Sequence, residues 1–513
     1  MPNTTVTPQQ RAALVADLSF TRGPVRARTF GAFVEHLGRC VYTGIYEPEH
    51  PTADEHGFRT DVLDLTRQLG ASVVRYPGGN FVSGYRWEDG IGERSERPVR
   101  RDLAWHTLEP NWVGVDEFID WCRAAGVEPM MAVNLGTRGV EEALDLLEYC
   151  NGTGGTTLAD LRIANGHLEP HDVRLWCLGN EMDGPWQLGH KTPEEYGRLA
   201  AEVARAMRRA DPDLELVVCG SSSPRMATFG TWELAVLEAT YDLVDHISAH
   251  IYFEDFGDLG SFLASAVKMD RFIDSVAAIA DAVRATGRHE KQISISFDEW
   301  NVWHKTRDES QPPTGDDWPI APRLLEDRYS TADAVVVGNL LISLLRHTDR
   351  VHVACLAQLV NVIAPIMTEP GGAAWTQTTF HPFALTAANA AGEVLQVALE
   401  SPRHDTAEFG EVDTIDAVVT FDHAAQRAVV FAVNRSHTDT TVLDTELRPA
   451  RITAVREAVS LWSEDPRWVA TETEASADLL QPATYTLEHG VARVELPPAS
   501  WTMLCLDLDE ARA

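Results

Sequence analysis

Short apolar runs that stop abruptly at polar residues recur from about residue 28 to residue 358, and the intervals between them carry apolar residues at helical spacing. Such runs are typical of buried strands, and such intervals of amphipathic helices. The expected strands cover residues 28–34, 72–76, 129–133, 173–178, 214–219, 246–251, 293–297 and 352–357, and the expected helices cover 61–69, 115–125, 141–149, 193–209, 270–286 and 329–346. Strands and helices that alternate in this way predict an α/β fold, a (β/α)8 TIM barrel.

The pattern changes beyond about residue 383. Runs at 417–421, 428–433, 492–496 and 502–508 are short strands separated by turn residues. This arrangement is typical of an antiparallel β-sandwich, expected here to be jelly-roll-like. We therefore predict a barrel domain over residues 22–384 and a C-terminal β-sandwich domain over residues 385–513.

Two glutamates follow two of the expected strands. Glu181 comes after the fourth strand, just before a polar turn, and Glu299 comes after the seventh. One glutamate at such a place is more often a cap of the next helix, but a second copy, again beside Trp and Asn, favours a site. Barrel enzymes hold their catalytic groups at this end of the strands, and glycoside hydrolysis requires a pair of carboxyl groups. Glu181 and Glu299 are therefore the predicted catalytic residues of a glycosidase.

Other polar and aromatic side chains near the strand ends would complete a sugar site. A polyhydroxylated ring needs hydrogen-bond donors and acceptors, and an arginine can neutralise and orient a neighbouring carboxylate. Each tryptophan is also a candidate core residue, Tyr252 has the same alternative, and Asn80 has an alternative role in its turn. The predicted binding residues are Glu35, Arg75, Asn80, Trp105, Asn180, Tyr252, Trp303 and Gln358, with Trp186 and Trp300 as further flat faces for a sugar ring.

Three histidines near these positions raise the question of a metal. His36, His246 and His250 lie on or after expected strands, but no His-x-His pair ends the first strand. Their acidic neighbours are spread over different strands, which does not match the spacing of metal ligands. We predict no catalytic metal.

The strongly acidic composition argues against negatively charged partners. Acidic residues number 77 against 43 basic ones, for a formal charge of −34, while 44% hydrophobic and 23% charged residues are ordinary for a globular protein. A field of this sign repels nucleic acid and anionic membranes. A neutral substrate fits it better than a phosphorylated one.

The N-terminal residues, the longest apolar stretch and the cysteines together indicate a cytoplasmic protein. Residues 1–22 contain no apolar core of signal-peptide length, and the apolar stretch 334–345 is shorter than the ~20 residues that span a bilayer. The seven cysteines are scattered, odd in number and without a CxxC pair. They are expected to be reduced core residues, and we predict a cytoplasmic protein that binds no membrane.

Five phrases in order resemble the α-L-arabinofuranosidases of glycoside hydrolase family 51. They are GAFVEHLGR at 31–39, VRYPGGNF at 74–81, LGNEMDGPWQLGH at 178–190, SAHIY at 248–252 and FDEWNVW at 297–303. The resemblance extends past Gln358. A single Asn-Glu pair would be weak evidence, whereas five long phrases in order are specific.

The resemblance implies a retaining mechanism with Glu181 as acid/base and Glu299 as nucleophile. It implies that Glu35, Asn80, Asn180, Tyr252 and Gln358 hold the arabinofuranose hydroxyls, with Asn180 at the 2-hydroxyl, and that Trp105 and Trp303 line the pocket. It also implies a sandwich joined by the N-terminal segment 1–21, a homohexamer, and no cofactor. The expected partners are arabinofuranose-containing oligosaccharides or polysaccharides.

Two alternatives stay open at this point. One is a member of the same scaffold that cleaves a β-linked glucan or xylan backbone with the same carboxylates. The other is a carbohydrate-binding or regulatory protein with an inactive barrel. The choice between arabinan and arabinoxylan, the 1,2, 1,3 or 1,5 linkage, and the effect of the unmatched loop 304–327 on the leaving group are not determined by these residues.

Overall fold

The computed structural model describes residues 10–306, 311–473 and 475–509. Within these residues, eight parallel strands close into a barrel in which each strand pairs with the next in chain order and the last with the first. The first to eighth barrel strands are Gly31–Phe33, Val73–Tyr76, Glu128–Val133, Leu175–Leu178, Glu215–Val218, His246–Phe253, Ser294–Val302 and Val351–Ala357. The predicted (β/α)8 barrel is confirmed.

Helices surround the barrel. One of them, Pro193–Ala210, begins with a capping box in which Thr192 and Glu195 each accept the other's backbone N–H, with Pro193 at the first helical position. Short helices at 157–164 and 231–240 were not predicted, because their apolar residues do not concentrate on one face. The α-helices are Thr60–Leu69, Val115–Ala125, Val140–Asn151, Thr157–Ala164, Pro193–Ala210, Thr231–Thr240, Leu259–Leu263, Ala266–Gly287, Thr331–Arg346 and Phe380–Asn389.

The described residues also form shorter elements. The short antiparallel hairpins pair Arg100–Asp102 with Thr107–Glu109, Ile366–Thr368 with Ala374–Thr376, and Arg403–Thr406 with Gly410–Asp413. The 3-10 helices are Ala27–Phe30, Asn80–Gly84, Trp87–Gly90, Arg94–Glu96 and Ser476–Leu479.

Two barrel strands differ from their predicted bounds in ways that affect the site. The first strand was expected from residue 28, but Ala27–Phe30 is a 3-10 helix. The seventh strand was expected to end before Asp298, yet it continues to Val302. Its pairing with the sixth strand shifts register between Ser296 and Glu299. Such an irregularity re-aims side chains, and it brings both Asp298 and Glu299 into contact with His250.

Apolar side chains fill the interior of the barrel. They come from alternating positions of the strands, as expected for a closed barrel of this size, so the barrel is a packed core rather than a channel. The cluster includes Phe33, Val73, Met130, Leu175, Cys177, Val217, Val353, Cys355 and Ala357. A site is therefore built at the carboxyl ends of the strands, above this layer.

Ten strands of the described chain form a second sheet, which is antiparallel except where Gln10–Pro24 runs parallel to Thr441–Arg448. Strands at opposite ends of the hydrogen-bonded order contact each other, so the sheet folds over on itself around a shared apolar core. In spatial order the strands are Leu480–Pro482, Ile452–Leu461, Ser500–Leu508, Arg427–Asn434, Ile415–Asp422, Glu393–Glu400, Gln10–Pro24, Thr441–Arg448, Val491–Leu496 and Tyr485–Glu488.

Helix Thr331–Arg346 joins the two units. It packs on the seventh barrel strand and on three strands of the second sheet, which explains why it is apolar on all sides. Gly338 lies against the indole of Trp501 so closely that a Cβ atom would be 2.3 Å from the ring. Among the helices that the structure describes, none combines the length and the apolar character needed to cross a membrane.

Candidate active site

A cavity of about 470 Å³ opens at the carboxyl ends of the barrel strands. Arg75 and Asn180 are buried beside it, where Arg75 donates hydrogen bonds to Glu299 and to Asn180. The strand ends thus bring all ten predicted site residues to one end of the barrel. Its lining includes Glu35, Asn80, Trp105, Glu181, Tyr252, Glu299, Trp303 and Gln358.

The two predicted catalytic glutamates face each other across the cavity. An oxygen of Glu181, an oxygen of Glu299 and a ring nitrogen of His250 all lie within 4.8 Å of one another. Glu181 follows the fourth strand in a left-handed backbone conformation, with φ of +43°, which is uncommon for a residue with a side chain. Such strain is concentrated at functional sites.

Glu299 is held at both carboxylate oxygens. Arg75 donates to Oε1 at 2.8 Å, and the Tyr252 hydroxyl donates to Oε2 at 2.8 Å. The same guanidinium donates to Oδ1 of Asn180 at 2.6 Å. Asn180 is buried, and its Nδ2 finds no hydrogen-bond partner among the residues that the structure describes. Its amide hydrogens are thus free for a ligand.

His250 connects Glu181 to Asp298 of the seventh strand. Its Nδ1 donates to Oε1 of Glu181 at 2.9 Å, and its Nε2 donates to Oδ1 of Asp298 at 2.8 Å. Burial would lower the pKa of His250, but neighbouring carboxylates, Glu299 foremost, outweigh it and raise the pKa to about 10. The imidazole is therefore a cation. His250 was considered only as a metal ligand from the sequence, and its place inside a strand gave no other signal.

Glu181 has a second partner in Trp186, whose Nε1 donates to Oε2 at 2.9 Å. Burial alone would raise the pKa of Glu181, but the hydrogen bond and charge of His250 outweigh it and lower the pKa below its usual value. Trp186 therefore contacts the carboxylate through its N–H, rather than serving only as a flat face.

Glu35 organises the opposite side of the cavity. Its Oε1 accepts the backbone N–H of Phe81 at 3.0 Å and the indole N–H of Trp105 at 2.8 Å, and Gln358 donates to Oε2 at 3.1 Å. Burial raises the pKa of Glu35 to about 8, so the carboxyl is protonated at neutral pH. A Cβ atom on Gly79 would lie 2.6 Å from this carboxylate, which explains the two glycines before Asn80.

Trp300, His36 and His246 lie away from the cavity, whereas Trp303 forms part of its wall. Trp300 is fully buried, so it is a core residue and not a flat face for a sugar ring. His36 hydrogen-bonds Tyr76, and His246 pairs with Ser294 at the start of the seventh strand. Trp303 is partly buried and packs edge-on against Tyr252 at the cavity wall.

Among the residues that the structure describes, two groups of side chains have the composition of a metal site. In Glu181, His250 and Glu299, both imidazole nitrogens are already engaged and Arg75 donates to Glu299, which suits a charged hydrogen-bond network better than a cation. The second group is Asp116, His167 and His171. There Arg123 contacts Nδ1 of His171, so Nε2 carries the proton that faces Asp116. The absence of a catalytic metal remains a prediction.

A closed parallel barrel with two facing carboxyl groups, one after its fourth strand and one toward the carboxyl end of its seventh, is the arrangement of a glycoside hydrolase. Comparison with known proteins specifies the family. The model described as the α-L-arabinofuranosidase 1 domain matches residues 65–265, and that of the α-L-arabinofuranosidase C-terminal domain matches residues 298–500.

Individual relatives agree. An intracellular exo-α-(1→5)-L-arabinofuranosidase of Streptomyces lividans is 56% identical over 97% of this chain and 75% of its own. An exo-α-(1→6)-L-arabinofuranosidase of Bifidobacterium longum is 54% identical over 96% of this chain and 97% of its own. A solved family 51 α-L-arabinofuranosidase of Bifidobacterium longum has a TM-score of 0.93 at 49% identity and covers 97% of this chain and 100% of its own.

The chain belongs to glycoside hydrolase family 51 and is an exo-acting α-L-arabinofuranosidase. The resemblance inferred from the five sequence phrases is confirmed. A backbone-cleaving glucanase or xylanase and an inactive binding protein are the two alternatives that these findings set aside.

Proposed function

We propose that this arabinofuranosidase is a retaining enzyme in which Glu299 is the nucleophile and Glu181 the acid/base. The observation that carries the proposal is the approach of the two carboxyl groups to within 4.8 Å. Retaining glycosidases hold their carboxyl groups about 5–5.5 Å apart, whereas inverting ones leave about 6.5–9.5 Å for a water molecule.

In the first step, an oxygen of Glu299 forms a bond to the anomeric carbon as the bond from that carbon to the leaving oxygen breaks. Arg75 and Tyr252 aim the carboxylate through their hydrogen bonds to its two oxygens. The leaving oxygen takes a proton from Glu181. Because a sugar alkoxide is a poor leaving group, this proton transfer is worth roughly 10²–10⁴-fold in rate.

In this mechanism, His250 supplies the proton that Glu181 needs as an acid. The acid must be protonated in the first step, although in the free enzyme its pKa is lowered by the imidazolium. A proton shift across the 2.9 Å hydrogen bond gives neutral His250 and protonated Glu181 with no change in the number of protons. In the second step, ionised Glu181 takes a proton from water, the hydroxide attacks the anomeric carbon, and Glu299 leaves. The proton then returns to His250.

The terminal sugar is bound by residues on both sides of the pair. Asn180 donates its free amide hydrogens to the 2-hydroxyl, and Glu35, protonated at neutral pH, offers both a donor and an acceptor. Asn80, Tyr252 and Gln358 hold the other hydroxyls. Trp105 and Trp303 line the pocket.

The names of two relatives support a proposal for the substrate and the cellular compartment. The Streptomyces lividans protein is named for intracellular action on 1→5 linkages, and one Bifidobacterium longum protein for 1→6 linkages. We propose cytoplasmic release of terminal 1,5-linked arabinofuranosyl groups from arabinan- or arabinoxylan-derived oligosaccharides, by a homohexamer without cofactor. We also propose that the barrel unit spans residues 22–384 and that residues 385–513 form the sheet unit together with segment 1–21, a proposal supported by the place of strand Gln10–Pro24 in the second sheet.

Azide rescue tests the assignment of the two glutamates. Glu299→Ala should abolish turnover of every substrate, because no covalent intermediate forms. Glu181→Ala should still be glycosylated by aryl arabinofuranosides, whose leaving group needs little acid help. Azide needs no base, so it should accelerate this variant and give a glycosyl azide of retained configuration, while wild type is unaffected. Rescue of Glu299→Ala with retention, together with rescue of Glu181→Ala with inversion, would reverse the two roles, because azide that replaces a missing nucleophile attacks opposite the leaving group.

A further inference from the structure

Two loops at the mouth of the cavity are joined by Trp318. The first is the hairpin of Arg100–Asp102 and Thr107–Glu109, and the second is segment 311–322, which follows the seventh strand. His106 stacks on the Trp318 indole at 3.7 Å between ring centroids, and the guanidinium of Arg101 lies 4.8 Å from the same ring. We call these three residues the Trp318 clasp.

Hydrogen bonds reinforce the clasp on both sides of the indole. His106 donates through Nε2 to the carbonyl of Gly315 at 3.0 Å, and the backbone N–H of Leu108 donates to the carbonyl of Pro319 at 3.0 Å. His106 has φ of +57°, so its ring is presented from a tight turn. Stacking, a cation over an aromatic face and two hydrogen bonds together define one relative position of the loops.

Both loops contribute to the wall of the active site. Ala104 and Trp105 come from the hairpin turn, and Gln311 and Pro312 come from the second loop. The carboxylate of Asp102 accepts the backbone N–H groups of Ala104 and Trp105 at 3.0 and 3.1 Å, which transmits the position of the hairpin to Trp105. Trp105 in turn donates to Glu35.

The wall lies where the leaving part of the substrate must pass. Glu35 and Gln358 are buried at the deep end of the cavity, whereas Gln311 is exposed and Trp186 is 52% exposed. An exo-acting enzyme places the terminal sugar at the closed end, so the remainder of the substrate extends past the exposed residues. The separation of the two loops therefore limits the width of the group that leaves.

We propose that Trp318 is a positioning residue that determines leaving-group specificity, selecting short linear arabinofuranosyl oligosaccharides over branched polymers. The inference deepens the proposed function and rests on it. Trp318 acts through Arg101 and His106, which hold the hairpin that carries Trp105. Opening the clasp should weaken the hold on the terminal sugar and widen the mouth.

Kinetics of Trp318→Ala test this inference. We expect KM for an aryl arabinofuranoside to rise about three- to tenfold, with kcat changed less, because contacts of this kind contribute modestly at exposed sites. The ratio of kcat/KM for branched arabinan to that for a linear arabino-oligosaccharide should rise at least about threefold. Trp318→Phe keeps an aromatic face and should stay near wild type.

Matched variants separate the clasp from a general effect on folding. His106→Asn tolerates the positive φ but removes the stacked ring, and it should reproduce the Trp318→Ala pattern. Arg100→Ala, on the same hairpin, removes an ion pair with Asp89 and should change neither ratio nor KM. In Trp318→Ala, hydrogen exchange of the peptide containing Leu108 should be faster than in wild type.

These measurements test the role of Trp318 independently of the retaining mechanism. A folded Trp318→Ala enzyme with wild-type KM, substrate ratio and hydrogen exchange would overturn it, and so would an equal effect of Arg100→Ala. If Trp318→Ala does not fold, His106→Asn decides by the same measurements. Failure of the retaining mechanism would appear in wild type as an inverted product and would leave the variant-to-wild-type ratios unchanged.

Discussion

The side chains of the site are arranged as a chain of alternating charges. Asp298, His250 and Glu181 form one hydrogen-bonded series, and Arg75 joins Glu299 to Asn180 beside it. All of these side chains are buried, so each charge must be balanced by a neighbour. Loss of one member should therefore alter the protonation of the next as well as its position.

Replacement of His250 should separate the two halves of the reaction. In His250→Gln the cation that lowers the pKa of Glu181 is gone, so that pKa rises. In the proposed mechanism the hydrolysis of the glycosyl-enzyme needs ionised Glu181, so the acidic limb of kcat should move to higher pH. Turnover of an oligosaccharide should fall about 10²-fold, and turnover of an activated aryl arabinofuranoside less. The measurement is a pair of pH–rate profiles.

His246→Gln is the control for this experiment. His246 lies on the same strand but contacts Ser294 near its start, away from the cavity. It should leave the acidic limb in place. An unmoved acidic limb in His250→Gln would contradict the assignment of His250 as the partner of Glu181.

Site residues marked by a polar side chain after an apolar run were predictable, whereas the true end of the seventh strand and the role of His250 were not. Glu181 and Gln358 stand out because a polar residue follows an apolar run. Asp298 and Glu299 were expected beyond a strand and instead lie within one, because the register shift of the seventh strand turns both carboxylates toward His250. A shift of register has no signature in hydrophobic periodicity, and the same holds for His250, whose neighbours in the sixth strand are largely apolar.

Secondary-structure elements with strong periodicity were predicted to within a few residues. Helices 115–125 and 193–209 have acidic starts and apolar residues at helical spacing, and the structure has Val115–Ala125 and Pro193–Ala210. Helix Thr231–Thr240 was missed, because its fully buried Trp232 and Leu237 lie among apolar residues on several faces. The clasp hairpin was missed as well, since its strands of three residues are too short to show an alternation.

Helix Val140–Asn151 carries a buried carboxyl that should make stability depend on pH. Glu142 is 5% exposed, its Oε2 has no hydrogen-bond partner within the described chain, and burial raises its pKa to about 8. The usual pKa of glutamate is about 4.3, so between that pH and pH 8 the folded state binds more protons than the unfolded state. Stability must therefore fall as pH rises through this window.

Glu142→Gln should remove this contribution. We expect its Tm to exceed that of wild type at pH 8 and the difference to shrink toward pH 4, where both states of wild type are protonated. Scanning calorimetry from pH 4.5 to 8.5 measures it. Glu141→Gln, a neighbouring and exposed substitution, should leave the pH dependence unchanged. Parallel curves for wild type and Glu142→Gln would show that Glu142 is not neutral in the folded state.

The first described strand of the chain pairs with strands that lie almost 400 residues or more further along the sequence. Gln10–Pro24 lies between Glu393–Glu400 and Thr441–Arg448, in the interior of the ten-stranded sheet. Periodicity alone predicted only that a short segment precedes the barrel, because pairing across hundreds of residues has no local signal. The resemblance implied that this segment joins the sandwich.

The assembly expected from the resemblance is a homohexamer, which light scattering coupled to size exclusion tests directly. A hexamer should elute with about six times the chain mass of 56.6 kDa, independent of loading concentration over a tenfold range. All seven cysteines are buried and unpaired, so non-reducing conditions should give the same mass. A single-chain mass would reject the hexamer.

The N-terminal strand Gln10–Pro24 contains one position that should be important for stability and one that should not. Leu14 is fully buried between Leu399 and Thr445, while Phe20 on the same strand is 61% exposed. Leu14→Ala removes methyl groups from the sheet core and should cost about 2–5 kcal/mol of unfolding free energy. Phe20→Ala should change the free energy of unfolding by less than about 0.5 kcal/mol.

Helix Thr331–Arg346 packs on both the sheet and the seventh barrel strand. Leu14→Ala should therefore also lower the temperature at which arabinofuranosidase activity is lost. Calorimetry and residual activity after heating measure the two effects. Equal Tm values for the two variants would mean that the strand is not an integral part of the folded sheet.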